Sequence, residues 1–202
     1  MTLSRLVLAT RNAHKLDELR RILAEANLDI ELVGIDQCAD VPEVAETGTT
    51  FAENALLKAR ATAQATGVAS IADDSGLCVT VLGGMPGVFS ARWSGQHGAD
   101  RANVELVLAQ IADVPDELRS AHFSCAVALV FPDGTEQVTE GVMTGTLLRA
   151  ARGSGGFGYD PIFQPDGEMR TTAELSPVEK DALSHRGRAL RAMVALIRAV
   201  DA

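Results

Sequence analysis

The feature that most constrains this chain is its opening strand–helix–strand pattern. Residues 5–9 (RLVLA) form a short apolar run, as expected of a strand covered on both faces. Residues 13–26 then place Leu16, Leu19, Ile22, Leu23 and Ala26 at helical spacing, and residues 30–34 read as a second strand. This β-α-β opening implies a parallel pair, since parallel strands need a long crossover, usually a helix. Parallel strands need cover on both faces, and 47% of the 202 residues are hydrophobic, enough to provide it.

The remaining elements follow from periodicity and punctuation. Asp36 to Thr49 is polar and holds Pro42 and Gly48. Thr50 and Glu53 form a capping box for a helix over 51–65, closed by Gly67. Residues 68–72 and 76–82 are strand-like, with Asp73-Asp74-Ser75 as an interruption. Residues 83–98 read as an ordered, glycine-rich loop and 101–112 as an amphipathic helix. Residues 120–131 alternate, with Phe123, Cys125, Val127, Leu129 and Phe131 on one face. The turn Pro132-Asp133-Gly134-Thr135 then predicts a long hairpin with 136–148, as a separate lobe or an extension of the sheet. The last helix is predicted over about 186–199. The expected fold is α/β: an elongated mixed β-sheet flanked by helices, with residues 1–202 as one domain of two lobes around a central cleft.

Composition excludes several classes. With 27 acids against 18 bases the net charge is −9, a poor match for a nucleic-acid backbone or a membrane surface. No apolar run approaches the length of a membrane span, and the N-terminus lacks a signal-peptide core. Cys38, Cys78 and Cys125 are scattered and read as reduced thiols, which points to the cytoplasm. Only three of the bases are lysines (Lys15, Lys58 and Lys180), which makes each a position to inspect.

Five segments carry candidate chemistry. Thr10-Arg11-Asn12-Ala13-His14-Lys15 follows the first strand and opens a helix, where free N–H groups favour an anion. The segment equally reads as an Asn12 cap beside a solvated Lys15. Asp73 and Asp74 repel unless a cation intervenes, so with Glu46 they can bind Mg²⁺; the bland reading is an Asx-turn at a strand break. Asn54 and Lys58 share a helix face beside Ala55 and Ala59. Residues 153–158 match G-x-G-x-x-G, but Tyr159-Asp160-Pro161 follows where a dinucleotide site needs a helix. The loop reads instead as presenting Phe157 and Tyr159 for base stacking, or as burying Phe157 under a turn. Ser184 can cap the last helix, placing His185 and Arg186 at its start as donors to carbonyl or phosphate oxygens, with Lys180 nearby in sequence. The inventory suits a nucleoside polyphosphate with a metal.

The strings IADDSG (71–76), GMPGVFSARWSG (84–95), GGFGYDPIF (155–163) and SHRG (184–187), with Thr10–Lys15, Glu46-Thr47-Gly48 and Phe51–Ala59, resemble the inosine-triphosphate pyrophosphatase family. The resemblance spans nearly the whole chain. It implies hydrolysis of ITP, dITP and XTP to monophosphate and pyrophosphate with Mg²⁺, in a cytoplasmic homodimer. Carried over by position, Thr10, Arg11, Asn12, Ala13, His14 and Lys15 hold the triphosphate and Lys58 contacts phosphate. Glu46 and Asp74 bind the metal with Asp73 alongside, and Asp74 is the catalytic base. Ser75, Phe157, Gly158, Tyr159, Asp160, Lys180, His185 and Arg186 contact the nucleotide. Family members commonly have Gly where this chain has Arg11, which adds a cation to that loop. A pyrimidine-directed pyrophosphatase, a general phosphatase and a nucleotide sensor are the competing readings.

Overall fold

A computed structural model describes residues 3–38 and 41–201, apart from the side chains of residues 13, 14, 200 and 201. One six-stranded sheet has the order β2-β1-β3-β4-β5-β6. Its strands are β1 (Arg5–Leu8), β2 (Glu31–Gly34), β3 (Ser70–Val79), β4 (Ser120–Val130), β5 (Glu136–Leu147) and β6 (Phe163–Pro165). The helices are α1 (Ala13–Glu25), α2 (Phe51–Thr66), α3 (Asp100–Gln110), α4 (Pro177–Leu183) and α5 (His185–Asp201). As the opening pattern requires, β1 pairs in parallel with β2, and also with β3. The sheet is mixed, because β5 and β6 run antiparallel.

Local chemistry explains the boundaries. The capping box at the start of α2 forms as predicted, with Thr50 accepting from the Glu53 N–H and Glu53 accepting from the Thr50 N–H. Gly67 ends the helix at φ 66°, a left-handed conformation that glycine adopts without a Cβ penalty. In the β4–β5 turn, Phe131 N–H donates to the Thr135 carbonyl and Gly134 N–H to the Phe131 carbonyl. The hairpin therefore extends the one sheet.

Three expectations change. Asp73-Asp74-Ser75 does not break a strand: β3 runs through it, and a 3-10 turn over Thr80–Leu82 ends the strand earlier than predicted. The backbone stays extended past Ile71, where the pairing of β3 with β1 ends, and partners elsewhere compensate the two charges. The alternation over 120–131 gives way to continuous burial from Cys125 to Val130. Helix α4 and strand β6 were not predicted, although Ser176, Pro177 and Glu179 form a capping box with proline in the first turn.

The chain divides into two compact units. The first comprises the residues up to Asp74, Cys125–Gly141 and those from Arg186 onward. On one side Leu6, Leu8, Ile71, Cys125, Val127 and Leu129 pack with Leu19, Ile22 and Leu23 of α1 and with Leu190, Met193 and Ile197 of α5. A separate cluster joins Ala55, Ala59 and Ala63 of α2 to Ala72, Ala128 and Val130. Two helical covers explain why β4 is apolar on both faces here.

The second unit comprises Ser75–Ser124 and Val142–His185. Its core gathers Leu77, Val79, Val107, Ile111, Phe123, Met143, Leu147, Ile162 and Phe163. Arg119 is fully buried in it and donates to the carbonyls of Leu147 (2.9 Å), Ile111 (2.7 Å) and Leu148 (3.0 Å). Arg119→Met should remove a donor from three carbonyls, of which that of Ile111 keeps the Val114 N–H. The expected cost is about 3 kcal/mol or more, a fall in Tm of roughly 6–12 °C, measurable by calorimetry.

Candidate active site

Successive side chains on a strand point to opposite faces, so Asp73 and Asp74 meet different partners. Asp73 is buried and takes Lys15 on both oxygens, Nζ lying 2.9 Å from Oδ1 and 2.8 Å from Oδ2. Arg186 Nε reaches the same Oδ2 at 3.0 Å, and its Nη1 lies 3.8 Å from the buried Glu18. Asp74 accepts from Asn54 Nδ2 at 2.9 Å on Oδ2, while its Oδ1 lies 3.7 Å from Lys58 Nζ. Lys58 also donates to Glu46 Oε1 at 2.7 Å.

Helix α2 brings Asn54 and Lys58, one turn apart, onto the same side as its buried alanines. Those small residues let the helix approach Ala72 of β3 closely. Lys15 sits in the first turn of α1, where the helix dipole disfavours a cation, and Asp73 offsets that cost.

The charges are mutually supporting. Burial alone would raise the Asp73 carboxyl, but Lys15, Arg186 and Lys58 hold it well below the usual carboxylate range. Burial likewise opposes the charge on Lys58, yet Asp74, Asp73 and Glu46 together raise its affinity for the proton. Arg186 is desolvated and nevertheless shifted up, chiefly by Asp73.

In the loop after β1, Asn12 N–H donates to Thr10 Oγ1 at 3.3 Å, and the Lys15 N–H reaches the Asn12 carbonyl. Arg11 is exposed and pairs with Asp36 at 3.6 Å. Ala13 and His14 open α1, and their side chains lie outside the described residues.

The second unit holds a different arrangement. Phe157 is 55% exposed, so it does not plug the core. Its N–H donates to Asp160 Oδ2 at 2.8 Å, and Lys180 Nζ stands 4.9 Å from its ring centroid. Asp160 is buried, accepts from Thr172 Oγ1 at 2.8 Å and forms an ion pair with Lys180. A Cβ on Gly156 would strike the Asp160 carboxyl, so glycine is required there. Gly158 N–H is held by Asp100 at 2.8 Å.

The 153–158 loop opens no helix, which agrees with rejecting a dinucleotide fingerprint. Tyr159, expected to be displayed with Phe157, is instead 4% exposed and donates to the Ser90 carbonyl at 2.8 Å. Its hydroxyl anchors the loop, and burial followed by the Asp100 charge pushes its pKa up. Ser75 is half-buried on β3. His185 is buried and stacked on Phe123, with centroids 4.9 Å apart and planes 12° apart.

The three carboxylates expected to share a metal are thus divided. Glu46 and Asp74 share Lys58, whereas Asp73 belongs to the Lys15–Arg186 cluster. Among the described residues, no group of three or more His, Cys, Asp and Glu side chains gathers as a metal cluster. Sequence reasoning assigned no role to Asn54, Glu18 or Thr172. The i, i+4 relation of Asn54 to Lys58 was a visible signal; Thr172 had none, since only the fold brings it to Asp160.

This fold, with acid–lysine clusters on a central strand and an exposed aromatic on a glycine loop, defines an α/β enzyme built for nucleotide phosphate chemistry. Residues 6–196 match the Ham1 family, and the chain belongs to it. It is 63% identical to the dITP/XTP pyrophosphatase of Streptomyces coelicolor, covering 97% of this chain and 98% of that protein. It is 55% identical to the dITP/XTP pyrophosphatase of Mycobacterium tuberculosis, covering 98% and 97% respectively. Among solved structures, a HAM1 protein from Coxiella burnetii superposes with a TM-score of 0.89 at 41% identity, covering 96% of this chain and 98% of that one. The Staphylococcus aureus Ham1 protein gives 0.88 at 36% identity, covering 97% and 99%.

The two aspartates should separate in stability. Asp73→Asn takes their shared counter-charge from the half-buried Lys15 and the buried Arg186, leaving Arg186 with Glu18 at 3.8 Å, and should cost about 3–5 kcal/mol. Asp74→Asn still accepts from Asn54 and should cost about 1 kcal/mol or less. Because the Asp73 pKa is depressed on folding, its contribution is complete above about pH 4 and is lost as pH falls below that. Urea denaturation of both variants between pH 3 and pH 8 measures all three expectations.

Proposed function

We propose that this chain hydrolyses the non-canonical purine nucleoside triphosphates dITP, XTP and ITP to monophosphate and pyrophosphate, removing them from the nucleotide pool. The observation that carries the reading is the pair of acid–lysine clusters on the two sides of β3. The names of the relatives, dITP/XTP pyrophosphatase, support dITP and XTP among these substrates.

The donor set fits Mg²⁺. Glu46 and Asp74 are oxygen-only ligands, and a positive charge is already accommodated between them, that of Lys58 at 2.7 and 3.7 Å. Mg²⁺ usually takes one or two carboxylates and completes its shell with substrate phosphate and water. Bound there, it would supply Lewis-acid polarisation of the phosphate oxygens. Asp73 lies outside this set and instead holds Lys15 and Arg186 in place.

Asp74 orients a water for in-line attack at the α-phosphorus and accepts its proton. Lys15 and Lys58 take up the negative charge that grows on the departing pyrophosphate. Thr10, Arg11, Asn12, Ala13 and His14 line the phosphate side with Lys15. Ser75 also contacts the nucleotide. Phe157 provides a stacking face for the purine, held in place by Gly158, Tyr159, Asp160 and Lys180. His185 and Arg186 favour a carbonyl at purine position six over an amine, since a donor left facing a donor is costly. The protein acts as a homodimer in the cytoplasm on a small nucleotide, not on nucleic acid. Three free cysteines and a net charge of −9 support that setting. No helix among the described residues is long and apolar enough to cross a membrane.

Hydrolysis of dITP in ¹⁸O-water tests the reaction. The label should appear in the monophosphate, with unlabelled pyrophosphate released; orthophosphate as the first product would refute the assignment. Asp74→Asn should lower kcat by about 10²–10⁴-fold.

A further inference from the structure

Asn54 is wholly buried, an amide in the first turn of a helix whose neighbouring inward positions are the alanines Ala55 and Ala59. Its Oδ1 accepts the Gly48 N–H at 2.8 Å. A backbone N–H can only donate, so this bond settles which end of the amide is oxygen. Nδ2 is thereby turned to Asp74 Oδ2, 2.9 Å away. One side chain thus connects the loop carrying Glu46 to the carboxylate of Asp74.

The loop is made for this contact. A Cβ on Gly48 would lie 2.7 Å from Asn54 Oδ1 and 2.7 Å from Glu53 Cβ, so a side chain there would force the loop away. One residue further on, Glu53 Oε2 accepts from the N–H of Thr49 at 2.6 Å and of Thr50 at 3.2 Å. The segment after Glu46 is therefore tied to α2 at consecutive residues.

Asp74 Oδ2 faces the amide and Oδ1 faces Lys58, so the carboxylate has a defined rotation. We infer that Asn54 is a positioning residue that holds Asp74 and the Glu46 loop in register, so that the two carboxylates are presented to a divalent cation as one preformed pair. The inference rests on the metal reading of Glu46 and Asp74 given above. An outer partner of metal-binding carboxylates typically contributes about 10–100-fold to metal affinity or activity.

The test follows Mn²⁺ binding to the nucleotide-free protein by electron paramagnetic resonance, beside the Mg²⁺ dependence of dITP turnover. Asn54→Ala should weaken Mn²⁺ binding about 10–100-fold and raise the half-saturating Mg²⁺ to match. KM for dITP at saturating Mg²⁺ should stay near the parental value. Gly48→Ala attacks the same contact from the loop side and should shift both metal readouts in the same direction. It also carries the test if Asn54→Ala does not fold. Arg60→Ala, on the exposed side of α2, should behave as the parent. A purely structural role would lower Tm and leave the metal dependence unchanged; folded variants with parental metal dependence overturn the inference alone. A parent protein that neither binds Mn²⁺ nor hydrolyses dITP overturns the functional reading and the inference with it.

Discussion

Two adjacent carboxylates in the interior of a central strand set the terms for the first unit. A strand that runs on through such a pair cannot turn both acids to one side, because successive side chains go to opposite faces. Each acid must therefore find compensation on its own face. Asp73 finds Lys15 from α1 and Arg186 from the start of α5, while Asp74 finds Asn54 and Lys58 from α2. Three helices are thus bound electrostatically to one dipeptide. The apolar clusters on the same faces supply the driving force, and the charge pairs supply the register. A buried ion pair is in general weak evidence for net stability, because desolvation offsets much of its attraction.

The same arrangement accounts for the chemistry assigned to the site. A cation held by a buried carboxylate is already desolvated and oriented, so little reorganisation is needed when an anion arrives. Lys15 is held this way on Asp73 and Lys180 on Asp160 in the second unit, while Lys58 is held by the half-buried Glu46 and Asp74. All three lysines of the chain are therefore paired with acids at candidate site positions. In a chain that otherwise uses arginine, that placement suits a flexible point charge better than a planar fork.

Much of this was legible beforehand. The β1–α1–β2 opening follows from spacing alone, and so does the α2 capping box, because both depend on residues close in sequence. The partners of the site residues do not. Asp73 and Arg186 are separated by 113 positions, and Asp160 meets Thr172 and Lys180 only once the second unit has folded. The reading of Asp73-Asp74-Ser75 as a strand break shows the limit clearly. Locally the tripeptide favours a turn, but β3 runs on through it within the sheet, so tertiary context overrides that preference. Tyr159 shows the same limit, since an aromatic among glycines looks displayed until the Ser90 carbonyl is found to hold its hydroxyl.

By itself, then, the sequence determined an α/β fold with a parallel opening, and it marked the residue types that handle phosphate. Periodicity and capping are local, and charge is a property of composition. Only the tertiary structure decided that Asp73 and Asp74 serve different clusters, that Asn54 joins Asp74 to the Glu46 loop, and that Phe157 is exposed while Tyr159 is buried. The alternation of a strand sends neighbouring side chains to opposite faces, and what waits on each face is set by helices distant in the chain.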